Sequence, residues 1–304
     1  GILLTIKQSS INDPIREINF VLPGYENTFR QNPFYSPFLQ KLQGFTNLRF
    51  MDTANTNNNP IISWSQRTPL NYRHHTSSTG MAWEYAIDIS NRLNADAWVN
   101  IPHLADDTYI REMAKLFRDN LNPGLKVYVE YSNEVWNWIF LQSQYTLQRG
   151  QAMGLQPNGS ANMLYSAYQS SRIWDIWNQE FSLTNQQNQL VNVYGVQAGW
   201  LGGPSAEGLK LLFNNSRNPT NQTPDALAIA PYFGGSLPQE IISRGLLGTV
   251  DELWMYNNLT VEINTTIRQL MRDWKTVANT YGIDLIAYES GQHLVGVGVA
   301  NVNN

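Results

Sequence analysis

Short apolar runs alternate with longer helical patterns throughout this chain, and that alternation limits the fold more than any other feature. Seven runs rich in β-branched or aromatic residues lie at 17–22, 47–51, 97–101, 126–131, 190–194, 226–231 and 284–289. Stretches with apolar residues at helical spacing separate them, at 81–93, 107–120, 138–152, 161–182, 205–213 and 260–281. Several runs are apolar at consecutive positions, as parallel strands covered on both faces are. The pattern predicts βαβ units around a parallel sheet.

The type of sheet follows from what the first run lacks. No glycine-rich phosphate-binding loop comes after it, which favours an α/β fold of the (β/α)8 TIM barrel type over a doubly wound sheet. Only residues 290–304 follow the seventh run, too few for another unit of roughly 30 residues. We therefore expect an incomplete barrel whose eighth strand is supplied by further segments or by another chain. Residues 1–14 are expected to be a strand or linker from a preceding β-region, and 15–304 to form the barrel.

Composition removes several classes of protein. With no cysteine and four histidines, thiolate chemistry and a histidine-based metal centre are disfavoured. Lys and Arg number 20 against 24 Asp and Glu, so the basic surplus that nucleic-acid binding requires is absent. No apolar run approaches the roughly 20 residues that span a bilayer. The sequence therefore predicts neither a nucleic-acid partner nor a membrane span.

The chain is rich in aromatic and amide side chains, with 10 Trp and 15 Tyr. Rings that stack on sugar faces and amides that pair with hydroxyls suit carbohydrate recognition. Five sequons would be glycosylated in a secreted eukaryotic protein, although an Asn-rich chain also produces such triplets by chance. They begin at Asn158, Asn214, Asn221, Asn258 and Asn264. We expect an extracellular glycoprotein, whose removed signal peptide would not be visible in a chain that begins at Gly1.

Two segments place carboxyl groups where strands end. The run KVYVEY is followed by Ser-Asn133-Glu134 and two Trp residues, and the run DLIAY is followed by Glu289. Catalytic residues of TIM barrels lie at the carboxyl ends of the strands. Two carboxyls at one such edge are what glycoside hydrolysis requires, because one must donate a proton while the other stays ionised. The tract 55–59, by contrast, reads as a polar connecting loop.

The order of these residues resembles the clan A glycoside hydrolases, a superfamily of retaining TIM-barrel enzymes with Asn-Glu closing strand 4 and Glu closing strand 7. The resemblance covers most of the chain as an order of strands, although only SNE and YES are close motifs. It implies that Glu134 is the acid/base, Glu289 the nucleophile and Asn133 the partner of the substrate 2-hydroxyl. The clan's platform Trp at the end of strand 8 has no counterpart here.

The resemblance extends to residues on other strands. It implies that Arg49 hydrogen-bonds the nucleophile, that Tyr232 holds the nucleophile from the other side, and that His103 contacts sugar. Trp136 is a candidate sugar-binding residue. Trp138, Trp64 and Trp200 are further candidate platforms, although a Trp is more often part of the structure.

Purely structural roles for these residues stay open as alternatives. Arg49 could be a buried ion-pair partner, for example of Asp52. Glu130 competes with Glu134, because it shares the phase of the strand and points the same way but deeper into the barrel. We favour Glu134 as the more exposed carboxyl, and a buried Glu130 would then need a partner such as Arg49. Either Glu could also serve only to cap a loop or pair with an Arg.

The leading hypothesis is a retaining glycoside hydrolase that acts on a poly- or oligosaccharide by double displacement and requires no metal or organic cofactor. Its two carboxyls should lie about 5–5.5 Å apart, whereas roughly 6.5–9.5 Å would indicate inversion. The alternative is a non-catalytic extracellular protein that keeps the barrel for binding carbohydrate or for building an assembly. A third, weaker hypothesis is a lyase or isomerase that uses the same carboxylates.

Overall fold

A computed structural model describes residues 5–16, 18–72, 74–75, 77–155 and 160–295. The chain divides into two compact units, Gly1–Gly44 and Phe45–Asn304, a division that differs from the expected boundary after residue 14. The first unit contains helix α1, Ser36–Leu42, which has a proline in its first turn. Proline is favoured there because the first N–H groups of a helix have no intrahelical acceptor.

The strand expected over 17–22 is not formed. Residue 17 lies outside the described residues, and 18–22 have irregular structure. Ile18, Phe20 and Leu22 alternate as in a strand, but each leaves about half or more of its surface exposed. An extended segment needs both a paired neighbouring strand and a covered apolar face to be stable. Residues 18–22 belong to no strand, and their alternating apolar side chains are exposed.

The other six predicted runs form strands. The described residues form eight strands: β1 Asn47–Arg49, β2 Asp96–Ile101, β3 Val127–Tyr131, β4 Leu190–Gly195, β5 Ala226–Ile229, β6 Tyr232–Phe233, β7 Asp284–Ala287 and β8 Gly291–Gln292. A parallel six-stranded sheet has the order β1-β2-β3-β4-β5-β7 and curls into a half-barrel, while β6 and β8 pair in a small parallel sheet of their own. The strand order never reverses, as it would in a doubly wound sheet.

Helices connect the strands of the half-barrel. They are α2 Trp83–Leu93, α3 Asp107–Asn120, α4 Leu141–Ala152, α5 Ala161–Ser182, α6 Pro204–Leu212, α7 Leu237–Ser243, α8 Glu252–Glu262 and α9 Arg268–Tyr281, with a π-helical turn at Ile263–Ile267. Helix α3 has a side-chain cap, since the Asp106 carboxylate accepts a hydrogen bond from the Tyr109 N–H. Within the described residues, no helix is both long and apolar enough to cross a membrane.

The hydrophobic core lies on both faces of the central strands. The four residues of β5 are buried, whereas β7 leaves its first and last residues exposed. Helix α5 buries most of its length, and its Trp174 Nε1 donates to the carbonyl of Val129 in β3 at 3.0 Å. Because all six strands are parallel, their carboxyl ends lie at one edge of the half-barrel. That edge carries the predicted site residues.

Candidate active site

Arg49, the last residue of β1, connects three of the polar side chains at this edge. Its Nη1 donates to Glu289 Oε1 at 3.0 Å, and its Nη2 donates to Glu130 Oε2 at 3.0 Å and to Asn133 Oδ1 at 2.9 Å. We call these four residues the Arg49 cluster. Burial lowers the pKa of Arg49, but the charges of Glu130 and then of Glu289 raise it above its ordinary value. Arg49 therefore pairs with Glu289 and Glu130, and Asp52 is not among its ion-pair partners.

Glu130 is the buried carboxylate of β3. Its Oε2 also accepts hydrogen bonds from Trp98 Nε1 at 2.9 Å and from Asn100 Nδ2 at 2.7 Å. A Cβ added at Gly195 would lie 2.7 Å from Glu130 Oε1, so glycine there leaves the room that the carboxylate occupies. A buried carboxylate that accepts several hydrogen bonds at one oxygen is suited to anchoring its partner cation. Of the two competing residues, Glu130 is buried and Glu134 is partly exposed.

The turn after β3 separates the two residues of the Asn-Glu motif. Ser132 and Glu134 both have positive φ, 57° and 41°, a conformation that costs a non-glycine residue about 1–3 kcal/mol. The Ser132 carbonyl accepts from Asn100 Nδ2 at 2.6 Å, which holds the turn against β2. Strain of this kind persists only where surrounding contacts enforce it. Here the turn brings Asn133 to Arg49, while Glu134 makes contacts of its own.

Asn133 is oriented by amide groups as well as by Arg49. Its Nδ2 donates to Asn57 Oδ1 at 3.1 Å, and Gln142 Nε2 donates to the same oxygen at 2.6 Å. Gln142 Nε2 also donates to the Asn133 carbonyl at 2.9 Å. The tract 55–59 is therefore part of the site, and the expectation that it serves only as a connection was wrong.

Glu134 is held by two neutral donors, which we call the Glu134 donors. The Tyr288 hydroxyl donates to Oε1 at 3.0 Å and Asn137 Nδ2 donates to Oε2 at 2.8 Å. Burial, followed by the charge of Glu134, raises the pKa of Tyr288 well above its usual range. The Tyr288 ring also lies 5.0 Å from the Arg49 guanidinium, so Tyr288 contacts both parts of the site.

Glu289 follows β7 and keeps 28% of its side chain exposed. Arg49 binds its Oε1, and the Tyr232 hydroxyl donates to its Oε2 at 2.6 Å. Burial, and next the hydrogen bond to Glu289, raises the pKa of Tyr232 to about 12. Tyr232 is thus a neutral donor near pH 7. Both contacts that the resemblance implied for this carboxylate are present.

The tryptophans have environments that the sequence did not distinguish. Trp136 is only 5% exposed, and its ring centroid lies 6.2 Å from that of Tyr288. It therefore packs beside Tyr288 and has almost no exposed surface on which a sugar could stack. Trp138, by contrast, is 56% exposed, and Trp200 is also exposed. Trp64 packs edge-on against Tyr109, with ring centroids 5.3 Å apart.

His103 lies among aromatic side chains. It is buried, its ring is 5.4 Å from that of Tyr145, and its carbonyl accepts from the Tyr131 hydroxyl. Burial lowers the pKa of His103 to about 4. These contacts are with Tyr145 of α4 and Tyr131 of β3, and none of them is with Glu134 or Glu289.

Sequence reasoning missed several residues that complete the site. They are Asn57, Trp98, Asn100, Asn137, Gln142 and Tyr288. Some left a usable signal, because Trp98 and Asn100 share one face of β2 by their spacing of two. Asn137 and Gln142 left none, since their approach depends on the conformation of the turn after β3.

The potential glycosylation sites differ in their exposure. Asn214, Asn221 and Asn264 are exposed, Asn258 is half-buried, and Asn158 lies outside the described residues. In the part of the chain that the structure describes, no group of three or more His, Asp or Glu side chains is arranged to hold a metal ion.

Comparison of the chain with protein-family models, curated proteins and solved structures returned no match. The assignment of a function therefore depends on the geometry of the site itself.

Proposed function

We propose that this protein is a retaining glycoside hydrolase that cleaves a poly- or oligosaccharide, with Glu289 as nucleophile and Glu134 as acid/base. One observation carries the proposal: two partly exposed carboxylates lie at the same edge of the half-barrel with different partners. Glu289 is bound to a permanent cation, whereas Glu134 contacts neutral donors. Environments that differ in this way separate an ionised carboxylate from one that can carry a proton.

In the first step, Glu289 attacks the anomeric carbon and forms a glycosyl ester. The bond from that carbon to the leaving oxygen breaks, and the proton of Glu134 passes to the leaving oxygen. Arg49 favours the ionised form of Glu289, because an opposite charge within hydrogen-bond distance stabilises it. Tyr232 fixes the second oxygen of the nucleophile.

In the second step, water attacks the anomeric carbon and the ester bond to Glu289 breaks. Glu134 takes the proton of the water, which returns both carboxyls to their starting states. Asn133 donates only one Nδ2 hydrogen to Asn57, so the other can bind the substrate 2-hydroxyl. Neither step requires a cofactor. The proposal expects carboxyls separated by about 5–5.5 Å.

The fold supports the proposal at the level of architecture. Six parallel strands that follow one another in chain order, with β6 outside their sheet, are compatible with part of a TIM barrel, in which active sites lie at the carboxyl ends of the strands. We propose that the half-barrel is such a part, of the clan A type.

The test is a panel of aryl glycosides, with the anomeric configuration of the product followed by proton NMR. Glu289→Gln should abolish hydrolysis, and Glu134→Ala should be reactivated by azide with formation of a glycosyl azide. Glu252→Gln, an exposed carboxyl on α8, is the matched control. A 2-deoxy-2-fluoro glycoside should label Glu289, and inversion or full activity of Glu289→Gln would reject the mechanism.

The same panel separates the main alternative. An extracellular carbohydrate-binding or structural protein would bind oligosaccharide without cleaving it, and the Glu289→Gln variant would bind as the native chain does.

We also propose that the protein is a secreted glycoprotein. The support is that three of its sequons, at Asn214, Asn221 and Asn264, are exposed. Expression through a eukaryotic secretory pathway, followed by enzymatic deglycosylation, should lower the mass of the protein. An unchanged mass would reject this proposal without affecting the enzymatic one.

A further inference from the structure

The two oxygens of Glu134 have partners of different chemical character. Asn137 Nδ2 can only donate, so the oxygen that it contacts, Oε2, must be an acceptor whatever the charge of Glu134. The hydroxyl of Tyr288, which contacts Oε1, can both donate and accept. The distances are 2.8 Å to Oε2 and 3.0 Å to Oε1.

The direction of the Asn137 amide decides this argument, since an amide turned around would present its oxygen instead. The N–H of Ile139 donates to Asn137 Oδ1 at 3.4 Å. The oxygen of the amide is therefore directed at a backbone donor, and its nitrogen is directed at Glu134. In a reversed amide, Oδ1 would face the acceptor Glu134 Oε2, and Nδ2 would face the donor N–H of Ile139.

We infer that Asn137 is a positioning residue that confines the exchangeable proton of Glu134 to Oε1, the oxygen beside the Tyr288 hydroxyl. This inference rests on the proposed function and adds which atom of the acid/base transfers the proton. A proton on Oε2 would make that oxygen a poorer acceptor for the amide donor beside it. Protonation at Oε1 leaves both hydrogen bonds possible.

Tyr288 serves both charge states of Glu134. When the carboxyl is protonated at Oε1, its proton passes to the leaving oxygen of the sugar as the glycosidic bond breaks. The carboxylate that remains accepts the O–H of Tyr288, as in the structure. When water is deprotonated in the second step, the proton returns to Oε1. No proton leaves Tyr288 in either step, in agreement with its raised pKa.

Charged and titratable groups surround this arrangement on several elements. Tyr288, next to β7, is influenced by the charges of Glu134, Glu130 and Glu289, and Tyr232 of β6 by Glu289, Glu134 and Arg49. These groups act on the whole carboxyl of Glu134, whereas the choice between its two oxygens depends on the atoms in contact with each.

The first experiment needs no substrate. Glutamate carboxyls labelled with carbon-13 are followed by NMR during a pH titration, with Glu134 assigned from the Glu134→Gln variant. Asn137→Ala removes a donor that favours the ionised form, so the midpoint of the Glu134 resonance should rise by roughly one pH unit. Tyr288→Phe should shift it less, because the hydroxyl supports both forms.

The design contains its own control. Gln269→Ala removes an amide donor to the carboxylate of Asp273 on exposed surface, and it should leave the Glu134 midpoint unchanged. The turn of Asn137 keeps its backbone hydrogen bond to Glu134 at 2.8 Å, so Asn137→Ala should retain the fold. An unmoved midpoint in Asn137→Ala, or a larger shift in Tyr288→Phe, overturns the inference.

The second experiment compares leaving groups. Asn137→Ala should lower kcat/KM for a phenyl glycoside by roughly 10- to 100-fold, since its leaving group needs the proton. A 2,4-dinitrophenyl glycoside needs little assistance and should lose less than about threefold. Equal losses on both would show a merely structural role. If no glycoside is cleaved at all, the proposed function fails, while the NMR titration still tests the position of the proton.

Discussion

The Arg49 cluster and the Glu134 donors lie at the same edge of the sheet. The first binds its carboxylates by ion pairs, and the second binds Glu134 by neutral hydrogen bonds. In the cluster, a buried cation joins Glu130 and Glu289, and the separation of each ion pair is 3.0 Å. Around Glu134, the contacts come from a hydroxyl and an amide. A buried ion pair fixes charge, because either ion alone would be costly. Neutral donors fix geometry and leave the charge free to change.

The difference shows how one sheet edge can support two roles for the same residue type. Glu130 and Glu134 are four residues apart, yet the first is buried beside Arg49 and the second is reached by neutral partners. The turn with positive φ at Ser132 and Glu134 separates them. Backbone conformation, rather than residue type, therefore decides which of these two carboxylates pairs with Arg49.

The largest effect should come from removing the cation of the Arg49 cluster. Arg49→Met should destabilise the fold by about 3–5 kcal/mol, because the buried Glu130 loses its counter-charge. On the proposed mechanism, the rate of glycoside hydrolysis should fall by roughly 10²-fold or more, because Glu289 loses the cation that it contacts. Urea unfolding and kcat/KM measure the two effects.

Two variants make this result interpretable. Arg49→Lys keeps the charge but lacks the planar, forked guanidinium that holds three acceptors on two nitrogens, and should lie between the native chain and Arg49→Met. Arg272→Met, on the exposed surface of α9, should be neutral. Stability unchanged in Arg49→Met would mean that the cluster contributes nothing to the fold.

A smaller change disturbs Glu130 without touching its charge. Gly195→Ala adds a Cβ 2.7 Å from Glu130 Oε1 and 3.8 Å from the Trp136 ring, and this crowding should cost about 1–3 kcal/mol. Gly199→Ala is the matched control, because its Cβ would meet nothing closer than Gln197 Oε1 at 3.7 Å. Equal unfolding midpoints for the two variants would show that Glu130 moves at no cost.

The strands were predictable because the central ones are buried on both faces. The run 226–231 has no polar side chain in its first four positions, and β5 buries all four. The run 17–22 has apolar residues at alternating positions, yet it forms no strand among its described residues. A local pattern records which face of a segment could be buried, and it cannot record whether a neighbouring strand is available.

The site was predictable where it depends on strand ends. Arg49, Asn133, Tyr232 and Glu289 meet because parallel strands bring their carboxyl ends together. The environment of Trp136 was not predictable, since burial of a tryptophan depends on its tertiary neighbours. The contact of Asn137 with Glu134 was not predictable either, because no glycine marks the positive φ of the turn.

His103 lies outside both the Arg49 cluster and the Glu134 donors. Its protonation should therefore change the stability of the fold without changing the contacts of the carboxylates. The pKa of His103 is about 4 in the folded chain and about 6.5 when unfolded. Between these values the unfolded state binds more protons, so stability falls as pH decreases. At pH 5 the loss is about 2 kcal/mol relative to pH 8. Urea unfolding should show this loss in the native chain.

His103→Gln isolates the contribution of this group, because the carboxylates of both regions stay in place. The variant should lose less stability than the native chain between pH 8 and pH 5. An identical pH dependence in the two proteins would assign the acid sensitivity to the carboxylates instead.

The smallest expected effect tests whether Arg49 alone orients Asn133. Asn57 accepts hydrogen bonds from Asn133 and Gln142, so Asn57→Ala leaves two donors without an acceptor and should cost about 1–2 kcal/mol. Because Asn133 is proposed to bind the sugar, KM should rise roughly threefold to tenfold, while kcat changes less. Asn279→Ala, exposed on α9, should change neither.

If Asn57→Ala is also silent, the cation is sufficient to orient Asn133. A raised KM would instead mean that neutral amides fix geometry inside the Arg49 cluster too, so that the two regions differ only in what sets the charge of their carboxylates.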